Sequence, residues 1–326
     1  MAKKRKSAWI VWVRRFIQSA FFVLFIYLFL ETTDHPINRA GSHVNLFFDL
    51  DPLVALTSWL GSHKIERAML LSLVTLTGTL LCGRWFCGWV CPFGALHNFF
   101  TYLRGGRLRP KLEAGGYSRW QTAKYYVLLA FLVAAFLGTN VAGWTDPFSF
   151  FFRSLTTAIY PAINSAIVSL FTWTYNVNPG IGRIRISIVT EPIYSFLQAH
   201  FLAIKQPYYW GSLLIGVIFI AVVALNFYRA RFWCRYVCPL GALLGVVGKN
   251  PLVRLQKSGG QCTNCRLCLV DCQGGANSSS VTEWKAAECF YCCNCIVDCP
   301  SQAATLTLEF KSEKKEDAEV AVQVGR

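Results

Sequence analysis

The sequence predicts an α-helical polytopic membrane bundle of four spans, followed by a small α+β domain organised around cysteines. Three observations predict it. Of the 326 residues, 54% are hydrophobic and only 15% charged, a balance too apolar for an ordinary soluble domain. The apolar residues gather in long charge-free stretches within residues 1–250. The polar segment after them carries eight cysteines in two evenly spaced runs.

Residues Met1–Arg15 carry Lys3, Lys4, Arg5, Lys6, Arg14 and Arg15 ahead of an apolar run. This looks like the start of a signal peptide, but no small-x-small cleavage site follows Leu30, so Phe16–Leu30 reads as an uncleaved first span. It is short against the roughly 20 residues a span needs. Snorkelling of Arg14 and Arg15 is expected to lengthen it. Ala68–Cys82 is the second span. Tyr125–Trp144 and Tyr208–Phe227 are the third and fourth, each free of charged residues. Ser154–Gly182 is also uncharged, but Pro161 and Asn164 interrupt it, and Glu191-Pro192 makes Ile184–Ile204 a poor span. The segment 147–205 therefore reads as an outer-face stretch of interfacial or re-entrant helices, with two further spans inside it as the alternative. The 25 Phe, 11 Trp and 13 Tyr suit aromatic belts at the membrane surfaces.

Charge sets the orientation. The loop between the second and third spans holds Arg104, Arg107, Arg109, Lys111, Arg119 and Lys124 against the single acid Glu113. Between the first two spans, Arg39, Lys64 and Arg67 face five acids. The positive-inside rule then puts the N-terminus, that basic loop and the C-terminal domain in the cytoplasm, as expected of a multi-pass protein of the bacterial inner membrane. The net charge of +15 is thereby accounted for, and no nucleic-acid motif competes for it.

The chain repeats itself. Arg84-Trp-Phe-Cys87-Gly-Trp-Val-Cys91-Pro-Phe-Gly-Ala-Leu96 matches Arg231-Phe-Trp-Cys234-Arg-Tyr-Val-Cys238-Pro-Leu-Gly-Ala-Leu243. Asp51-Pro52-Leu53 and Asp146-Pro147-Phe148 are possible cognates, expected on the outer side. The repeat halves run over about 8–105 and 120–250. Both enter in the same direction, so an axis along the membrane normal should bring the two CxxxCP motifs face to face at the inner surface. Cys87 and Cys91 lie one helical turn apart, as do Cys234 and Cys238. Three roles are open to these four thiols: a metal or an additional iron–sulfur centre, redox-active dithiols, or buried packing. Arg84 and Arg231 are expected to be positive-inside anchors, with charge compensation of such a centre as the alternative.

The C-terminal runs are Cys262-x2-Cys265-x2-Cys268-x3-Cys272 and Cys289-x2-Cys292-x2-Cys295-x3-Cys299-Pro300. Three thiolates at this spacing wrap one iron–sulfur cube, and the fourth crosses to the partner cube, as in two-cluster bacterial ferredoxins. Cys262, Cys265, Cys268 and Cys299 would hold one [4Fe–4S] cluster, and Cys289, Cys292, Cys295 and Cys272 the other. Zinc also takes CxxC pairs, but these runs are poor zinc-ribbon spacing. Cys82 and Cys293 fall outside the ligand pattern. A bis-[4Fe–4S] domain at 251–310 and a polar tail at 311–326 complete the organisation.

Together these features resemble the NapH-type family, the polytopic iron–sulfur component of quinol dehydrogenases, with its relatives NosR and CcoG. The resemblance covers nearly the whole chain. It implies oxidation of membrane quinol, with electrons passed to partner redox subunits such as iron–sulfur or cytochrome proteins in an anaerobic-type respiratory chain. The chain departs from its relatives in places. The residues before the first span are not expected to form the flavin-bearing segment of NosR, nor those after Cys299 the immunoglobulin-like domain of CcoG. Gln273 replaces the proline expected after Cys272, and segment 145–207 is longer than expected.

The leading expectation is thus an electron-transfer subunit linking quinone, lipid-borne in the membrane, to the clusters and a partner protein. Quinone chemistry moves protons as well as electrons. His35, His43, Asp51, His63, Asp146, Glu191 and His200 are the candidate proton carriers. The alternatives are a copper-handling or metalloenzyme assembly factor using the CxxxCP thiols, and an anchor that docks a catalytic partner. The sequence lacks CxxCH, GxxxxGK[ST] and a GxGxxG after a strand, so neither c-type haem nor nucleotide is expected.

Overall fold

Helix α1 (Ala2–Asp34) contains no Gly or Pro in its 33 residues, and Pro36 follows it. The computed structural model describes residues 2–34, 41–64, 67–103, 115–177, 180–181, 184–185, 187–200, 209–257, 261–277 and 284–308. Within α1, Trp9–Thr32 is long and apolar enough to cross a membrane. The first span thus needs no snorkelling from Arg14. That residue is fully buried and donates to Gln273 Oε1 (3.4 Å) and Asn294 Oδ1 (3.3 Å), while Arg15 stays exposed beside Trp12.

After α1 come α2 (Gly41–Asp49), α3 (Pro52–Ser62) and α4 (Ser72–Cys82). Two short CxxxCP helices follow, α5 (Trp85–Trp89) and α6 (Pro92–Leu103). The second half repeats the order with α7 (Ala123–Phe136), α8 (Pro147–Val177), α9 (Ser187–His200), α10 (Ser212–Ala224), α11 (Phe232–Tyr236) and α12 (Pro239–Val247).

The spans depart from the four expected. The stretch 125–144 is not one helix: α7 stops at Phe136, Gly138 turns at φ 83°, and a 3-10 turn covers Ala142–Trp144. The stretch doubted for Pro161 is a continuous 31-residue helix instead. A π-turn over Leu155–Ile159 widens it just before Pro161, relieving the clash that a ring makes with the preceding turn. Among the described residues, Trp9–Thr32 and Pro147–Val177 alone meet the length and apolarity of a span, while Met69–Cys82 and Ser212–Phe227 are shorter apolar helices.

The core is largely phenylalanine. Phe25, Phe151 and Phe219 stack in sequence, with centroids 5.1 and 6.1 Å apart, and Phe150 stacks on Trp233 at 5.1 Å. These rings bind α1, α8, α10 and α11 together. The aromatic residues are divided between core and surface: several Phe and Trp233 go inside, while Phe16, Phe136, Trp9, Trp12, Trp120, Trp144 and Trp210 are exposed.

Asp51 and Asp146 are cognates in structure. Asp51 caps α3 by accepting from Leu53 N (2.7 Å) and Val54 N (3.4 Å). Asp146 caps α8 by accepting from Phe148 N (3.1 Å) and Ser149 N (2.9 Å). Both helices have proline in the first turn, where its missing N–H costs nothing. Both aspartates are fully buried, and their carboxyls lie close enough to interact. Two carboxyls held together away from water favour a form in which one carries a proton.

The cysteine-rich segment is closed by a two-stranded antiparallel sheet. β1 (Val253–Lys257) pairs with β2 (Ala304–Leu308), from Val253↔Leu308 to Lys257↔Ala304, so the strands flank both cysteine runs. A short helix, α13 (Asn294–Asp298), lies between them in the chain.

Candidate iron–sulfur and CxxxCP site

The two cysteine runs fold alike. The second residue after the first cysteine is left-handed in both, Asn264 at φ 54° and Tyr291 at φ 49°. The fourth is too, Arg266 at φ 59° and Cys293 at φ 59°. A chain that alternates in this way curls tightly, and in the second run Cys289, Cys292 and Cys295 line one cavity. Cys293 thus occupies a turn position equivalent to that of an arginine, and its Sγ donates to Tyr291 O at 3.5 Å.

Cys272, Cys289, Cys292 and Cys295 are buried and line one small cavity with Cys293, Trp284 and Phe290. The four thiols at ligand spacing, around this apolar-walled cavity, are a donor set that fits a [4Fe–4S] cube. Burial pushes the Cys289 and Cys295 thiols up, so occupying the site requires that protons leave. The other set sits nearer the surface: Cys265 is exposed, and Cys262, Cys268 and Cys299 are half-buried. The turn bearing Cys268 packs against α13, which Cys299 caps, and Asn277 Nδ2 donates to Cys268 Sγ at 3.5 Å.

The CxxxCP copies meet across the repeat. Cys91 Sγ accepts from Gly94 N at 3.4 Å, and Cys238 Sγ from Gly241 N at 3.2 Å, so each second cysteine caps the helix that its proline opens. Each arginine crosses to the other copy. Arg231 Nη1 donates to Cys87 O (2.6 Å), and Arg84 Nη2 to Cys234 O (3.4 Å). Gly241 is needed for that crossing, since a Cβ there would stand 2.5 Å from Arg84 Nη2. All four thiols are buried, and burial pushes Cys234 up to about 11. Among the described residues no three His, Cys, Asp or Glu side chains are close enough to grip one metal ion. A cube, with one thiolate per iron corner, spreads its ligands wider than an ion does.

Arg84 and Arg231 are fully buried, which overturns their expected role as surface anchors. Both guanidiniums lie over the ring of Phe290, at 4.6 and 5.1 Å from its centroid. Phe290 belongs to the second cysteine run and is buried, so it seats the cysteine-rich domain on the CxxxCP pair. Gly88 makes this approach possible: a Cβ there would stand 2.1 Å from Phe290 O. Arg235 takes the position of Gly88 in the other copy and donates to Gln273 O (2.8 Å) and Cys272 O (2.5 Å). Beside them Glu288 accepts from Arg84 (3.3 Å), Tyr125 Oη (3.0 Å) and Lys124. Removing one partner of such a buried group costs about 3–5 kcal/mol. From sequence Lys124 reads only as one of the basic loop residues that set orientation, yet it is fully buried, and Glu288, Arg235 and Phe290 were not singled out.

Of the expected proton carriers, Asp51 and Asp146 come together, while His63 and Glu191 are exposed. His35, and the side chains of His43 and His200, lie outside the described residues. His97, which no motif marked, is fully buried, with Nδ1 2.8 Å from Asn226 Oδ1.

The 4Fe-4S binding domain family matches the chain twice, at residues 67–111 and 210–258, on the two CxxxCP copies. The ferredoxin-type protein NapH of Escherichia coli is 25% identical over 276 residues, 82% of this chain and 76% of NapH. The methylamine utilization ferredoxin-type protein MauN of Methylorubrum extorquens is 25% identical over 228 residues, 68% of this chain and 59% of MauN. An uncharacterized protein of Methanocaldococcus jannaschii is 22% identical over 213 residues, 64% of this chain and 59% of that protein. The chain thus spans about three fifths of the length of the last two. No solved structure matches. With two matches to the 4Fe-4S binding domain and ferredoxin-type relatives across most of its length, the chain is similar to the NapH-type iron–sulfur proteins.

Proposed function

We propose that the chain is a membrane-bound electron-transfer subunit that links the quinone pool to two [4Fe–4S] clusters and a partner redox protein. The observation that carries this reading is the seam at Phe290, where the buried cysteine set meets the CxxxCP pair under two arginines. Cys272, Cys289, Cys292 and Cys295 would hold the inner cluster, and Cys262, Cys265, Cys268 and Cys299 the outer one. Such clusters supply one-electron steps at potentials set by burial and hydrogen bonding. The buried set keeps water away from its thiolates. The more exposed set suits exchange with a partner protein. Cys87, Cys91, Cys234 and Cys238 would hold a further centre, with Arg84 and Arg231 offsetting its negative charge. The bundle would cross the cytoplasmic membrane with four spans, its N-terminus and cysteine-rich domain on the inner side.

Protein purified without oxygen tests this by iron and acid-labile sulfide analysis with EPR, before and after addition of quinol. About eight irons per chain are expected from the two ferredoxin-type sets, more if the CxxxCP thiols are loaded, with cluster signals that change on quinol addition. Iron-free protein, or clusters indifferent to quinol, would overturn the proposal.

A further inference from the structure

Between α1, α6 and the cysteine-rich domain lies an open cavity of about 850 Å³, within the size range of sites for small organic ligands. Its two ends differ. At one, Phe22 and Val23 of α1 face Leu96, Phe99 and Phe100 of α6. Val23 and Phe99 are 65% and 57% exposed, so this end opens on the apolar flank of the bundle.

The other end is polar and already assembled. Arg14 donates to Gln18 Oε1 (3.2 Å), Gln273 Oε1 (3.4 Å) and Asn294 Oδ1 (3.3 Å). Asn98 Nδ2 donates to Gln18 Oε1 at 3.2 Å, and Gln273 Nε2 to Asn98 Oδ1 at 2.5 Å. Arg14, Gln18 and Gln273 are almost wholly buried, and Arg14 Nε finds no acceptor. Cys272 also lines this end. Gln273 stands where the resemblance led us to expect proline, and a proline would offer no amide to close the network. The departure in the motif thus builds the polar wall.

We infer that this cavity binds the head group of a quinone among Arg14, Gln18, Asn98 and Gln273, with its apolar tail along Phe22 and Phe99. The inference rests on the quinone link proposed above and adds the residues that would make it. A flat, uncharged ring bearing oxygen acceptors matches a wall of amides with one spare guanidinium N–H. A phospholipid phosphate would meet Arg15 as well as Asp271 at the cavity, so it is the competing occupant that the experiment below separates. The place beside Cys272 sets a bound ring next to the proposed inner cluster.

A photoreactive azidoquinone, applied to intact protein in detergent and mapped by mass spectrometry, tests this. Labelling within residues 14–23 and 95–102 is expected. Leu96→Trp, which fills the apolar end of the cavity, should weaken binding of a short-tailed quinone about tenfold and leave iron content unchanged. Label elsewhere, unchanged affinity in Leu96→Trp, or a retained phospholipid that quinone does not displace would overturn the site. The two proposals fail differently. Clusters reduced by quinol with label outside the cavity overturn the site alone, whereas labelled cavity residues with clusters indifferent to quinol overturn the electron route alone.

Discussion

Phe290 and the arginines over its ring are separated in the chain by 206 and 59 residues, which is why spacing analysis could list the cysteines around it and still pass it by. A cysteine motif is local, and its ligand types and intervals stand in the sequence. Phe290, Glu288 and Arg14 acquire their roles only from distant partners. His97 is the same kind of residue. Burial lowers its pKa to about 4 from an ordinary 6.5, and the Asn226 hydrogen bond only partly opposes this. The folded state therefore resists protonation that the unfolded chain accepts. Its contribution is complete above pH about 6.5 and is lost as pH falls toward about 4, by up to about 3 kcal/mol. His97→Gln should accordingly flatten the denaturation midpoint against pH across that window. A profile that keeps the wild-type slope would show that His97 does not titrate this way.

At the scale of elements, the repeat visible in the CxxxCP sequences extends to its geometry: paired thiol caps, exchanged arginines and paired Asp-Pro caps. The Asp-Pro dipeptides were weak evidence alone, since such caps are common at helix starts. What distinguishes them is that they meet in the interior. Asp51→Asn keeps the capping oxygen and supplies an N–H to Asp146, so its stability should stay within about 1 kcal/mol of wild type. Asp51→Ala loses the cap and leaves Asp146 buried without its partner, at a cost of about 3 kcal/mol. Denaturation in detergent compares them, and equal losses would refute a shared proton. Helix lengths were the less legible part. A charge-free run of twenty residues concealed the break at Gly138, and Pro161 suggested a break that the π-turn avoids.

For the whole molecule, the basic residues predict orientation, which fusions can read. A fluorescent reporter at Arg326 should fold and fluoresce in cells, and alkaline phosphatase at the same point should stay inactive; the opposite pattern would put the cysteine-rich domain outside. Composition, charge asymmetry and cysteine intervals were enough to expect a helical membrane protein with iron–sulfur ligands, because apolar length and ligand spacing are properties of short stretches of chain. Only the tertiary structure decided that two aspartates face each other, that arginines exchange between repeats beneath Phe290, and that Gln273 closes a polar wall. Those outcomes depend on which buried groups find partners across hundreds of residues, and a buried charge or amide is stable only where the whole fold supplies its complement.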